Sequence, residues 1–213
     1  MNRIISILFA SMIFTASAFA EGLVGLKFGV GDLEGTKLVT TNAVGPDDAQ
    51  TTASVDHEFG AIYAEVNLND SPVNVGLELV PLTGTISIVN DDSDASAEVS
   101  NLTTAYLLAA KGMDNGSSVY AKLGYSQADI GAAKQSNGTT TVNSFSDKLE
   151  GPMLGIGFQS PETANGLVFR AEATYSEFDD ISVNTTDTDG LVETKKANDI
   201  TFQTFTISLA KTF

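Results

Sequence analysis

The sequence predicts an all-β fold, an eight-stranded antiparallel up-and-down transmembrane β-barrel. Apolar and polar side chains alternate with a period of two residues in eight separate segments. The connections between these segments are alternately long and short, and the charges within them lie opposite the aliphatic side chains. Because successive side chains of a strand point to opposite faces, each segment would have one apolar and one polar face.

The first four strands are predicted from this alternation and from the turn residues between them. In the first strand Leu26 and Phe28 share one face, and Lys27 lies on the other. Pro81 lacks an N–H group, so it predicts a bulge or the barrel rim within the third strand. The predicted elements are strand 22–32, loop 33–56, strand 58–68, turn 69–72, strand 73–88, loop 90–97 and strand 99–111.

The last four strands follow the same rule. The sequence Asp114-Asn115-Gly116 is a hairpin turn signal between the fourth and fifth strands. In the seventh strand Phe169 lies on the face opposite Arg170. The predicted elements are strand 119–126, loop 130–147, strand 153–159, turn 160–166, strand 167–176, acidic loop 179–199 and a closing strand that ends at Phe213.

The alternation of long and short connections favours a membrane barrel over a soluble sandwich. Transmembrane barrels have short periplasmic turns and longer external loops, whereas a soluble fold has no reason for this regularity. An even strand number also returns both ends of the barrel to the same side of the membrane. No window contains eighteen consecutive apolar residues, so a membrane-spanning helix is not expected.

Composition excludes several classes of partner and site. The 213 residues include 27 acidic and 11 basic side chains, which gives a formal net charge of −16. A chain this acidic repels phosphate backbones, so no nucleic-acid partner is expected. The absence of cysteine excludes disulfides, thiolate metal sites and a cysteine nucleophile.

The N-terminus predicts export. Residues 1–20 contain a short basic region with Arg3, an apolar run from Ile4 to Phe14, and the small-x-small sequence Ala18-Phe19-Ala20. This order is typical of a secretory signal peptide that is cleaved after Ala20. We therefore expect two regions, a signal peptide at 1–20 and a barrel domain at 21–213.

Seven charged side chains are predicted to face the barrel interior. Seven charges in a dry core would be very costly, whereas in a lumen they can pair with one another. An eight-stranded barrel is just wide enough for side chains to fill it. A salt-bridged plug is therefore favoured over a narrow conduit lined by charge. The predicted lumen network consists of Lys27, Glu65, Glu78, Lys111, Lys122, Arg170 and Glu172.

The whole pattern resembles the small eight-stranded bacterial outer-membrane barrels, the group that includes the OmpA transmembrane domain, OmpX and the opacity proteins. The resemblance implies the cell outer membrane of a Gram-negative bacterium, contact with its lipid and lipopolysaccharide, and insertion by the barrel-assembly machinery. It also implies a structural, adhesive or surface-recognition role. A narrow porin-like channel is the alternative, and a lipid-modifying enzyme is a distant third. The implied assembly signal is Phe205, Ile207, Leu209 and Phe213.

Two further features of the sequence, a single histidine and several acidic segments, are candidate functional sites. His57 lies beside Asp56 and Glu58, but no serine accompanies it on the same strand face, so we expect a solvated rim histidine and no enzyme. The acidic segments of the predicted external loops offer oxygen ligands for divalent cations, although a solvated acidic rim is favoured. We assign no catalytic, cofactor or metal residues, and we expect a monomer. The acidic segments are Asp47-Asp48, Asp91-Asp92-Ser93-Asp94, Asp179-Asp180 and Asp187-Thr188-Asp189-Gly190.

Overall fold

A computed structural model of the chain describes eleven strand segments. It covers residues 21–41, 51–68, 71–90, 93–131, 134–135, 140–145, 148–187 and 192–213. Within these residues no helix is long and apolar enough to cross a membrane. The strands are β1 Gly22–Thr41, β2 Thr51–Asn67, β3 Val73–Asn90, β4 Ser93–Gly112, β5 Ser118–Ile130, β6 Lys134–Gln135, β7 Thr140–Phe145, β8 Lys148–Gln159, β9 Leu167–Phe178, β10 Ile181–Asp187 and β11 Val192–Thr212.

Eight of these strands form a closed barrel, as the sequence predicts. Each strand pairs antiparallel with the next in the order β1-β2-β3-β4-β5-β8-β9-β11. Strand β11 then pairs with β1 from Leu23–Thr212 to Thr41–Glu193, which closes the ring. We call the end that carries the first and last residues of the barrel the lower end.

The three shorter strands continue barrel strands beyond the upper rim. Strand β9 pairs Phe178 with Ile200 of β11, and β10 pairs Ile181 with Ala197 in the same register. Strand β7 pairs with β10, and β6 pairs with β4. The barrel wall therefore rises well above the segments that the sequence assigned to strands.

The predicted long loops are correspondingly wrong in extent. Strand β1 continues to Thr41 and β2 begins at Thr51, so much of the predicted loop 33–56 is paired strand. The same holds for much of loops 90–97, 130–147 and 179–199. Apart from 90–97, which has neither, these segments contain threonine and valine, residues that favour strands. Polarity alone therefore does not indicate a loop in this chain.

The short lower connections agree with the sequence analysis. They lie between β2 and β3, between β4 and β5, and between β8 and β9. Gly116 in the second of them has φ of 81°, a left-handed conformation that glycine adopts without steric cost. The lower ends of the strands are thus joined by tight turns, whereas the upper strands extend beyond their predicted bounds into the predicted loops.

The outer surface of the lower barrel is an apolar band. Large hydrophobic side chains alternate along each strand and point away from the lumen, and Phe28 is 61% exposed. A hydrocarbon environment is the physical explanation for so many exposed apolar side chains at strand spacing. The band consists of Leu26, Phe28, Val30, Ile62, Leu107, Val119, Leu123, Leu154, Ile156, Phe158, Phe169, Phe205, Ile207 and Leu209.

One seam of the wall is paired over only part of its length. Strands β2 and β3 pair from Asn67–Asn74 up to Ile62–Leu79, and no higher pair joins them in the described residues. Both strands nevertheless continue upward, β2 from residue 61 to 51 and β3 from residue 80 to 90. Pro81, which has no N–H group, lies just above the last pair, and β3 shifts register against β4 between Leu82 and Thr85. We call this unpaired stretch the β2–β3 seam.

A closed lower barrel makes the folded chain resistant to detergent. Every strand of the lower wall pairs with two neighbours, so the sheet has no free edge at which sodium dodecyl sulfate could begin to separate the strands. We expect the unboiled protein to migrate differently from the boiled protein in sodium dodecyl sulfate gels. Identical migration before and after boiling would contradict a closed barrel.

Candidate functional site: a charged layer across the lumen

Charged side chains from five strands meet in the lower half of the lumen. Each lies on the inward face of its strand, which alternates with the outward face from one residue to the next. Five of them are buried, and Glu78 retains 13% of its side-chain exposure. The charged layer consists of Lys27 on β1, Glu65 on β2, Glu78 on β3, Lys122 on β5, and Arg170 and Glu172 on β9.

Two lysines and two glutamates form a ring of ion pairs. Lys27 Nζ lies 2.6 Å from both Glu78 Oε2 and Glu172 Oε1. Lys122 Nζ lies 2.9 Å from the same Glu78 oxygen and 3.1 Å from the same Glu172 oxygen. Each cation therefore bridges both carboxylates, and the ring ties β1, β3, β5 and β9 together across the lumen.

Arg170 and Glu65 form a separate bidentate pair. Arg170 Nη1 donates to Glu65 Oε1 at 2.6 Å, and Nη2 donates to Oε2 at 2.9 Å. Arg170 Nε also donates to Gln159 Oε1 at 2.7 Å. Glu65 accepts further hydrogen bonds from Tyr106 at 2.8 Å and from Asn74 at 3.3 Å. Both charges thus have several partners, as charges removed from water require.

Three inward tyrosines fill the space around these charges. Lys122 Nζ lies 3.8 Å from the centroid of the Tyr106 ring. The Arg170 guanidinium carbon lies 5.6 Å from the Tyr63 ring and 5.3 Å from the Tyr120 ring. At these distances the aromatic faces attract the cations. The Tyr120 hydroxyl donates to Glu172, and the Tyr63 hydroxyl is hydrogen-bonded to Ser208.

Each of these rings lies over a glycine on the neighbouring strand. The glycine is the direct cross-strand partner of the tyrosine, and a Cβ atom added to it would overlap the ring. Glycine is therefore needed here for close approach. The three contacts are Tyr63 on Gly25, Tyr106 on Gly76 and Tyr120 on Gly157.

The charged layer balances its charge and fills the lower lumen. It contains three cations and three anions, each paired with an opposite charge. Removing such groups from water is costly, and only mutual pairing with further hydrogen bonds offsets that cost. The arrangement is suited to holding strands together and to obstructing passage along the barrel axis.

Lys111, the seventh predicted member, lies elsewhere. It pairs across β4 and β5 with Val119, whose side chain faces outward, and Lys111 itself is exposed near the lower end of the barrel. The prediction for Lys111 is wrong because β4 is apolar on both faces, so alternation does not indicate which face is inward. The buried face is that of Tyr106 and Leu108, and Leu107 faces outward with Lys111.

Sequence reasoning also missed the apolar upper lumen. Above the charged layer the inward side chains are hydrophobic and form one buried cluster. The available signal was that large apolar residues near the upper strand ends have inward parity, such as Phe59 with Glu65 and Phe178 with Glu172. The buried cluster consists of Ala61, Val80, Val99, Leu102, Ala128, Ile130, Leu149, Phe178 and Ile200, with Leu33, Phe59, Ile181 and Phe202 packed against it.

The other candidate residues do not gather into a site. His57 lies on β2, paired with Gly31 of β1, and is half-buried at the upper lumen. In the described part of the chain, no group of three histidine, aspartate or glutamate side chains is arranged to hold a metal ion. Asp47, Asp48, Asp91, Asp92 and Asp189 lie outside the described residues, as does the predicted signal peptide at 1–20. Cation binding by the external loops therefore stays a prediction.

The closing strand presents the four residues of the predicted assembly signal. Phe205, Ile207, Leu209 and Phe213 are all exposed on the outer face. The backbone of Phe213 exchanges two hydrogen bonds with Gly22, at 3.0 and 3.1 Å. The last residue thus contributes both to the apolar band and to the final pair of the barrel closure.

Replacing Phe213 with Asp should impair insertion into the outer membrane. The change places a charge at an exposed apolar position of the lower interface, where aromatic side chains are favoured. We expect lower membrane levels of the folded protein on unboiled gels, with Phe213→Tyr as the matched control that keeps an interfacial ring. Normal membrane levels of the Asp variant would refute a role in assembly.

Comparisons with known proteins match this barrel to one protein family and to several solved structures. The family described as outer membrane protein beta-barrel domain matches residues 6–213. The structure of the outer membrane protein OprG from Pseudomonas aeruginosa is similar, with a TM-score of 0.65, 11% identity, and coverage of 91% of this chain and 97% of that chain. AlkL in lipid bilayers gives a TM-score of 0.55 at 12% identity, with 92% of each chain covered. At such low identity these likenesses concern the fold alone. No curated protein sequence matches the chain significantly.

Proposed function

This chain belongs to the outer membrane protein β-barrel family, and from that premise we propose that it is a structural or surface-recognition barrel whose lumen does not conduct. The observation that carries the proposal is the charged layer. Lys27, Lys122 and Arg170 are buried, and each pairs with a carboxylate on another strand. Such a layer favours a plug, because ions crossing it would have to displace paired and largely dehydrated charges.

The surface of the barrel above the membrane band is suited to binding external ligands. Strands β10 and β11 continue the wall above the membrane band, and so do parts of β1 to β4. The chain carries 27 acidic residues, many of them in these upper segments. We propose that this acidic upper rim meets lipopolysaccharide and external ligands, with divalent cations screening the mutual repulsion.

The proposal assigns no catalysis. His57 lies among mostly apolar neighbours, and its lumen neighbours on the same strand are Phe59 and Ala61. A general base needs a nucleophile or a bound water held within hydrogen-bond reach by polar groups. We further propose a monomer, because the exposed apolar side chains are accounted for by lipid contact.

Planar bilayers test the proposal directly. Purified folded protein should insert without producing stepwise ionic current, because the charged layer obstructs the axis. The variant that combines Lys27→Gly with Lys122→Gly removes both bridging cations and serves as the opened control. Reproducible single-channel steps from the unaltered chain would favour the porin-like alternative.

A further inference from the structure

Strand β2 has an unpaired backbone edge along the β2–β3 seam. Leu68 N donates to Val73 O, at the start of β3, at 3.0 Å. Asn67 N, one residue earlier, donates instead to Glu21 O at 2.9 Å, just before β1. Because the backbone groups of successive strand residues point to opposite sides, the even-numbered residues of β2 turn theirs toward the seam. In the described part of the chain the pairing with β3 does not reach the even-numbered residues from 52 to 60.

The edge of β3 across the seam is less suited to pairing. Gly60 and Pro81 would face each other if the β2–β3 register continued upward. Pro81 has no N–H group and donates nothing to that pair. The register of β3 against β4 also shifts between Leu82 and Thr85, an irregularity that bends an edge away from a partner. Strand β2, by contrast, pairs with β1 without a register shift up to Thr51, so its edge is regular.

The outer face beside the β2 edge is acidic. Asp56 and Glu58 lie on this face of β2 and are exposed. Asp32 on β1 is the direct cross-strand partner of Asp56, and like charges in this position repel each other. Oδ1 of Asp32 is buried and accepts no hydrogen bond within the described residues. A strand that carried positive charge on its outer face would relieve this repulsion.

We propose that an extended basic segment of an external polypeptide adds to β2 as an extra strand along the β2–β3 seam. This inference rests on the proposed recognition role and names the class of partner. The edge from residue 52 to residue 60 is about 30 Å long, at about 3.3 Å per residue, which suits a strand of ordinary length. Main-chain hydrogen bonds supply affinity in this binding mode, and alternate side chains supply specificity.

The two faces of the barrel wall define the side chains of the added strand. Residues directly opposite Asp56 and Glu58 share their outward direction, so lysine or arginine suits these positions. The residues between them point toward the lumen, where Phe59 packs against the buried apolar cluster. The partner segment therefore alternates basic and apolar residues.

A synthetic peptide of alternating lysine and valine, with blocked ends and a fluorescein label, serves as the probe. Its fluorescence anisotropy is titrated with folded protein in phosphatidylcholine vesicles, and empty vesicles give the background. N-methylation of the lysines removes the N–H groups that face β2, whereas N-methylation of the valines removes those that face away. We expect the first peptide to lose about fivefold in affinity for each hydrogen bond removed, and the second to retain binding. Equal affinities of the two methylated peptides would overturn the proposal, as would no binding of the unmethylated peptide.

The edge can also be blocked from the side of the protein. Glu58→Pro and Glu58→Ala both remove the charge, but only the proline removes the N–H group that faces the seam. Edge strands tolerate proline where that group would point away from the sheet. We expect Glu58→Pro to bind the peptide at least about fivefold more weakly than Glu58→Ala. Asp56→Pro and Asp56→Ala form a second pair if Glu58→Pro fails to fold on unboiled gels. Equal affinities of folded proline and alanine variants would overturn the proposal.

Charge reversal tests the basic character of the partner. Asp56→Lys combined with Glu58→Lys should weaken binding of the lysine–valine peptide at least about tenfold and allow a glutamate–valine peptide to bind. Unchanged binding of the lysine–valine peptide would overturn a basic partner. Self-association of the unaltered protein that Glu58→Pro abolishes would assign the edge to a second copy and would also overturn the proposal. Absence of peptide binding together with absence of ionic current in planar bilayers would remove this partner and leave the non-conducting barrel in place.

Discussion

Truncating Arg170 to Ala should destabilise the folded barrel by roughly 3–5 kcal/mol, the cost typical of breaking a buried ion pair. The change leaves Glu65, which is 1% exposed, without its bidentate partner. Only the hydrogen bonds from Tyr106 and Asn74 remain to stabilise the carboxylate. Equilibrium unfolding in lipid vesicles measures the free-energy change.

Two variants accompany this measurement. Lys111→Ala removes an exposed charge and should change the stability by less than about 0.5 kcal/mol. Arg170→Met combined with Glu65→Gln removes both charges and should recover much of the loss, because no buried charge is left unpaired. If the lumen were a water-filled conduit, Arg170→Ala would cost under about 1 kcal/mol and would alter cation selectivity. That result would contradict the proposal that the charged layer closes the lumen.

Replacing Gly76 with Ala should cost about 1–3 kcal/mol, the range typical of overpacking. The new methyl group would overlap the Tyr106 ring, which lies directly over the glycine. Displacing that ring also disturbs its hydrogen bond to Glu65 and its contact with Lys122. Unfolding in vesicles measures the loss.

Gly112→Ala is the matched control, because no atom lies within 4 Å of the Cβ position there. We expect it to change stability by less than about 0.5 kcal/mol. The substitutions Gly76→Ala and Tyr106→Leu should be non-additive, since residues in contact couple energetically. Equal effects of Gly76→Ala and Gly112→Ala would show that the ring contact is unimportant.

Most of the lower barrel could be predicted because an alternation of apolar and polar side chains every two residues indicates directly which face of the strand each side chain occupies. Lys27 and Arg170, for example, are flanked on both sides by side chains that face the lipid. The prediction failed where that contrast disappears. Both faces of β4 are apolar around Leu107 and Leu108, so nothing local shows which of them faces the lumen.

The extent of the upper wall could not be predicted for a related reason. Segments such as 36–41 and 192–197 carry mostly polar side chains and resemble loops, and they become strands because they pair with each other across the closure. Such pairing joins residues about 150 positions apart in the chain. The ion pairs are similarly remote, since 105 positions separate Glu65 from Arg170. Six of the seven predicted members of the charged layer follow from strand alternation, and Lys111 does not, whereas the choice of partners depends on the register of the whole barrel.

The tyrosine–glycine contacts have a consequence for how the barrel is assembled. They occur between β1 and β2, between β3 and β4, and between β5 and β8, the strand pairs that are joined at the upper end of the barrel. None of these three pairs is aligned by one of the tight lower turns. Shifting β2 by one residue would turn Tyr63 outward, and shifting it by two would press its ring against Leu23 or Lys27 instead of Gly25. The ring–glycine contacts thus favour the correct register over a misaligned one in each of these three strand pairs.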